Sequence, residues 1–160
     1  MATTYKTNFG NETWPAPNPA GSEVQSMRFE FDLSAALALN DLIVMGVLPA
    51  GCMPVDWALD TDDLDSNASP TITLDVGIFK SDLSDLSTAT ADGGALWGSA
   101  LTTAQAGGFV RNTGTASTRV TPESDTDRFV GVKVHAAPAT GATTGVIGLT
   151  LQYRAGYQGF

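Results

Sequence analysis

The residues that could do chemistry in this chain are few. There is one histidine, His135, and one cysteine, Cys52, against 17 Asp and Glu. A Ser-His-Asp arrangement would need His135 as its base, and nothing marks one of the many serines as its partner. No G-x-S-x-G elbow and no glycine-rich phosphate loop ahead of a lysine is present. One His and one Cys cannot build a histidine-based zinc site or a zinc finger within a single chain. Paired carboxylates of the glycoside-hydrolase kind remain, since Asp56, Asp60 and Asp75 could meet on one sheet face. Acids on a solvated face are the commoner use of such residues. The reading is of a protein that is not an enzyme, with no catalytic residue, no cofactor and no metal.

The segment from Asp60 to Pro70 raises calcium, because Asp60, Asp62, Asp63, Asp65 and Asn67 crowd oxygen atoms into one turn. An EF-hand loop requires oxygen ligands at positions one, three and five, Gly at six and Glu at twelve. Counted from Asp60, those last three positions hold Leu64, Asp65 and Thr71, so the pattern fails. A solvated turn built from Asp and Asn is the better reading. Cys52 reads as a small apolar side chain, with no neighbour to activate its thiol. His135 falls on the wetter face of its strand.

Composition sets the wider limits. The chain has 160 residues, enough for one domain with its own core. Its net charge is −9, which repels phosphate backbones and disfavours nucleic acid as a partner. No apolar run has the length of a signal peptide or a membrane span. The expectation is a protein made in the cytoplasm, with no membrane partner.

The elements that would position any site are strands. Leu42 to Leu48 is a continuous apolar run, long enough for a strand buried on both faces. Pro49-Ala-Gly51 breaks it, and Met53, Val55, Trp57 and Leu59 then alternate with polar or small residues. Alternation recurs in Met27 to Ser34, Thr71 to Lys80, Arg128 to Ala136 and Val146 to Arg154. Phe109-Val-Arg111 and Ser117 to Thr121 predict a hairpin around Asn112 to Thr115. Ser99 to Ala106 predicts a short helix, with Ser99 as N-cap and Gly107 as stop, inside a long excursion from Ser81 to Gly108. Within that excursion, Ala95-Leu96-Trp97 reads as an apolar anchor. About eight strands and almost no helix predict an all-β antiparallel sandwich of jelly-roll type, although an immunoglobulin-like topology has similar spacing.

Three parts follow. Residues 1–26 form an extended N-terminal arm, with Pro15, Pro17 and Pro19 alternating and Tyr5, Phe9 and Trp14 scattered along it. A disordered leader is one reading of it. Three aromatics favour an arm ordered against its own sandwich or a neighbouring subunit. Residues 27–154 form the sandwich, and 155–160 a C-terminal tail ending in Tyr157 and Phe160.

Asp41-Leu-Ile-Val-Met-Gly-Val-Leu-Pro-Ala-Gly51, Leu74-Asp-Val-Gly-Ile-Phe79 and Thr144-Gly-Val-Ile-Gly-Leu-Thr-Leu-Gln-Tyr-Arg154 resemble stretches of small structural proteins of tailed bacteriophages. Val55-Asp56, Leu64-Asp65, Ala95-Leu-Trp97, Gly107-Gly108 and 127–132 extend the likeness over about residues 27–154. The resemblance is to jelly-roll capsid decoration, or cement, proteins. It implies a virion structural protein on the outer capsid surface, a homotrimer that bridges and stabilises subunits of the major capsid protein. Tyr5, Phe9, Trp14, Pro15, Pro17, Tyr157 and Phe160 are then the candidate inter-subunit contacts. The alternative is a phage tail or fibre component that binds a host surface through the 81–108 excursion and Trp97. A stand-alone carbohydrate-binding module would need exposed aromatics on one strand face, and Trp57 lies in the apolar phase of its strand.

Overall fold

The computed structural model describes residues 2–19, 21, 23–112 and 121–156. Nine strands among them are β1 (Thr4–Lys6), β2 (Val24–Asp32), β3 (Leu42–Leu48), β4 (Cys52–Thr61), β5 (Thr73–Ile78), β6 (Gly98–Leu101), β7 (Gly108–Arg111), β8 (Arg128–Ala136) and β9 (Val146–Ala155). They form two sheets, ordered β1-β3-β8-β5-β6 and β2-β9-β4-β7. With β1 set aside, the strands cross from sheet to sheet at every step except β5 to β6, and the second strand pairs with the last. That is the order of a jelly roll. The expected all-antiparallel pairing needs one correction. Thr4–Lys6 of the arm adds a parallel strand to β3, in register with Leu42, Ile43 and Val44.

Alternation accounts for the core. Ile43, Met45 and Leu48 of β3, Val130, Val132 and Val134 of β8, and Leu74, Val76 and Ile78 of β5 point inward from the first sheet. Phe29, Trp57, Leu59, Ile147, Leu149, Leu151 and Tyr153 meet them from the second. Trp97 and Trp57 are both buried in this layer.

The first sheet carries a second apolar layer on its outer face. Leu42, Val44, Phe79 and Leu86 are buried there, with Leu83, Leu96 and Phe129 packed around them. The 79–97 part of the excursion therefore lies across the sheet, pinned by Lys133 Nζ on Asp85 Oδ1 at 2.8 Å. At roughly 2 kcal/mol for each fully buried aliphatic side chain, this layer stabilises the excursion against its own loss of entropy. It also explains why every residue of β3 is buried. Gly131 on β8 is where the close approach is tightest. A Cβ there would overlap the Ile43 carbonyl and stand 2.9 Å from both Met45 N and the Phe79 ring.

Two further expectations are corrected. The helix predicted over Ser99 to Ala106 is not formed: Ser99 and Ala100 lie in β6, and only Thr103–Gln105 makes a 3-10 turn. The cause is Asp75, whose Oδ1 accepts from Ser99 Oγ at 2.9 Å and Ala100 N at 2.8 Å. The acidic turn after β4 is not wholly solvated either. Asp65 is buried, and its carboxylate accepts backbone N–H groups from Thr71, Ile72, Ala139 and Thr140. Burial pushes its pKa up, and those four donors more than offset this, holding it well below the usual carboxylate range. Of the hairpin expected around Asn112 to Thr115, Phe109 to Arg111 lie in β7; its turn and second strand, at 113–120, lie outside the described residues.

Candidate assembly interface

The three acids that could have formed a catalytic pair are separated. Asp75 sits on the first sheet, buried, with His135 Nδ1 2.9 Å from its Oδ2. Ser99 Oγ also bonds to that carboxylate and not to the imidazole, so no hydroxyl is placed against a base. Asp56 and Asp60 sit on the second sheet, each taken by an arginine. Asp60 Oδ2 receives Arg28 Nη2 at 2.6 Å across Gly148 of the intervening strand, and Asp56 pairs with Arg111. Among the described residues, no three His, Cys, Asp or Glu side chains converge as a metal-binding group. Cys52 is buried, and burial together with Asp127 pushes its thiol pKa up, away from reactivity.

What the chain does present is surface. Residues 2–19 follow the open edge of β3 and then cross one end of the sandwich. Leu42 N bonds to Thr3 O at 2.8 Å, and Thr7 N to Val44 O at 3.0 Å. The buried Thr7 hydroxyl donates to the Met45 carbonyl and accepts from Gly10 N at 3.0 Å. A tight turn over 7–14 follows, closed by Asn11 N on Thr7 O and Thr13 N on Asn8 O, both 2.9 Å. The proline segment then passes over the mouth of the core as a strap, because alternating prolines hold it extended. The Tyr153 hydroxyl bonds to Pro17 O at 2.7 Å, and Asn18 Oδ1 faces Cys52 Sγ at 3.9 Å.

The aromatics of this segment form a relay from core to solvent. Phe9 stands edge-on to buried Phe29, with ring centroids 5.1 Å apart, and Trp14 stands edge-on to Phe9 at 5.5 Å. Tyr5 packs on Phe31 at 5.4 Å. Trp14 is left 55% exposed. It borders a cleft shared with Glu12, Pro15, Asn18, Pro49 and Asp127. Strand register places Val24, Arg154 and Met53 side by side at the same end of the second sheet, with exposed Val55 two residues beyond.

No protein-family profile matches the chain, and no curated protein matches it. Solved structures do. It superposes on a chain of the capsid of Ralstonia phage GP4 with a TM-score of 0.82 and 38% identity, over 98% of this chain and 100% of that one. The chain belongs to this family of phage capsid proteins. A chain of the cyanophage Pam1 capsid asymmetric unit also matches, with a TM-score of 0.60 and 26% identity, over 88% of this chain and 91% of that one. Membership of a capsid family supports a structural role in the virion.

Within this capsid-family chain the candidate contact residues divide. Tyr5 and Phe9 are half-buried against the chain's own core. Trp14, Pro15 and Pro17 are exposed. Tyr157 and Phe160 lie outside the described residues. Trp97, which a host-binding surface would have used, is buried. Sequence reasoning passed over one surface residue, Phe109, which is 63% exposed on β7. Its signal was present: Val110 is the inward residue of that short strand, so both its neighbours must point out.

Proposed function

We propose that this chain is a capsid decoration, or cement, protein that sits on the outer head surface as a homotrimer and bridges subunits of the major capsid protein. The observation that carries this reading is the likeness to a phage capsid chain over its whole length. Charge supports the outer surface: at −9, the chain is repelled by packaged DNA and suits the side of the shell away from it. The strap end supplies the shell contact. Trp14 and Pro15 stand out from a segment already fixed by Tyr153, Thr7 and the Phe9 relay, so little entropy remains to be lost on docking. An exposed, pre-ordered tryptophan is the side chain most often found to dominate a protein interface. The arm, 1–26, and the tail, 155–160, are the segments that reach neighbours.

Quantitative mass spectrometry of purified particles tests the role. A copy number equal to the major shell protein, or a simple fraction of it, is expected. A few copies per particle would move the protein to the tail or fibre, and absence would remove it from the virion. Trp14→Ala should then lower occupancy on particles stripped of the wild-type protein by about tenfold or more, with its fold unchanged. Equal occupancy would exclude the strap as the contact.

A further inference from the structure

Phe109 is the most exposed large apolar side chain among the described residues. It stands on a four-residue strand that, among the described residues, pairs with β4 alone. Val110 beside it packs against the core, and Phe109 faces out opposite Asp60. An open cleft runs along the same edge, formed by 100–103 and 106–110. Among the described residues, no ionisable side chain lines it. The acids that flank it are each held within the chain. Asp60 is taken by Arg28 and Asp56 by Arg111, while Asp62 accepts Val146 N at 2.9 Å and Asp63 accepts Asp65 N at 3.1 Å.

We infer that this edge is where copies of the chain meet, with Phe109 of one copy seated in the 100–110 cleft of the next. Two chains at −9 repel one another, and at physiological salt that repulsion is felt within about 8 Å. Like chains therefore approach at least cost where the surface is uncharged. A protruding ring beside a neutral cleft gives one surface both halves of a contact, as self-association requires. A basic partner would find no free carboxylate here, whereas the Trp14 cleft offers Glu12 and Asp127. The two surfaces do not compete: Asp60, opposite Phe109, lies eight residues along β4 from Cys52 at the strap end, roughly 25 Å away. The inference rests on the homo-oligomer reading above and names its contact.

The test is the mass of the full chain in solution, by light scattering after size exclusion and by sedimentation. Wild type should be multimeric. Phe109→Lys and Ala106→Glu should each weaken association at least about tenfold. Both positions are exposed, so melting temperatures should stay at the wild-type value. An equimolar mixture of the two variants should regain association, since the new Lys of one copy then meets the new Glu of the other. A Phe109→Lys protein that associates as tightly as wild type overturns the inference and leaves the oligomer reading in place. A monomeric wild type overturns both. Neither result bears on shell binding, which the particle experiment reads separately.

Discussion

The two sheets share a core but differ in what covers their outer faces. The β1-β3-β8-β5-β6 sheet is covered on both sides, by the core within and by the 79–97 excursion without. Among the described residues, no second apolar layer covers the outer face of the β2-β9-β4-β7 sheet. There, β2 alternates exposed Ser26, Arg28, Glu30 and Asp32 with inward Met27, Phe29 and Phe31. The same strand geometry therefore serves two ends. One sheet has a strand, β3, that is buried along its whole length, and the other keeps a wet face held together by ion pairs across strands.

That contrast can be broken most severely at paired positions. Val44→Asp places a charge in the outer layer of the covered sheet, where Val44 is 0% exposed. It should cost more than about 4 kcal/mol and abolish the urea transition, because no partner waits there. Ser26→Asp, at an exposed position on the bare face, should move stability by no more than about 0.5 kcal/mol in the same measurement. Comparable losses at both positions would mean that the second face is also covered.

The next effect is at Asp65, the clasp between the turn after β4 and the 137–141 loop. Asp65→Asn cannot accept from all four N–H groups, and the melting temperature should fall by on the order of 10 °C. The wild-type clasp has a pH dependence of fixed sign. Its carboxyl is held below the ordinary value, so the stabilisation is complete above about pH 4 and is lost as pH falls further. Asp65→Asn should flatten that acid limb, which calorimetry between pH 2 and pH 6 would show.

Tyr153→Phe removes the hydroxyl that holds Pro17 and should cost about 1 kcal/mol, read as faster hydrogen exchange and proteolysis of the strap. Burial, with a smaller contribution from Cys52, pushes the Tyr153 hydroxyl up to about 12. The folded value lies above the ordinary one near 10, so the attachment is intact below about pH 10 and is lost as pH rises through about 12. The smallest effect belongs to the bare face. Gly148→Ala would put a Cβ against both Arg28 and Asp60, whose side-chain ends can swing away into solvent. Stability should drop by about 1 kcal/mol or less, and raised salt should shrink the difference.

Much of the fold was legible because strand period and burial agree. The apolar run of β3 and the alternation of β5, β8 and β9 gave elements that the structure bears out; in β4 the expected face is corrected, because a register shift between Pro54 and Asp56 turns Met53 and exposed Val55 out of the phase of buried Trp57 and Leu59. What escaped was set by distant partners. Ser99 to Ala106 has a helix-like run of small residues behind a capping serine, but Asp75, 24 residues earlier, captures Ser99 and Ala100 for a strand. Asp65 looked like one more turn acid because its donors Ala139 and Thr140 lie more than 70 residues away. Thr4–Lys6 was too short and too polar to announce a strand, and it becomes one only because β3 offers an open edge. The assembly surface was half legible. Proline spacing marked the strap, but the sequence does not say which aromatics the chain keeps for its own core.

The place of β9 has a consequence for how the protein comes into being. It lies between β2 and β4, and its pairing joins Val24 to Arg154. While the chain is still on the ribosome, the first two-thirds of its length can make only one sheet in part. Neither β2 nor the inner edge of β4 finds a neighbour until the final strand has left the exit tunnel. Folding must then wait on β9 and proceed almost in a single step, slowly for a domain of this size, because its contacts span most of the sequence. Until that moment β2 and one edge of β4 stand open to other nascent copies, and the ten residues of β9 are what withdraw them from aggregation.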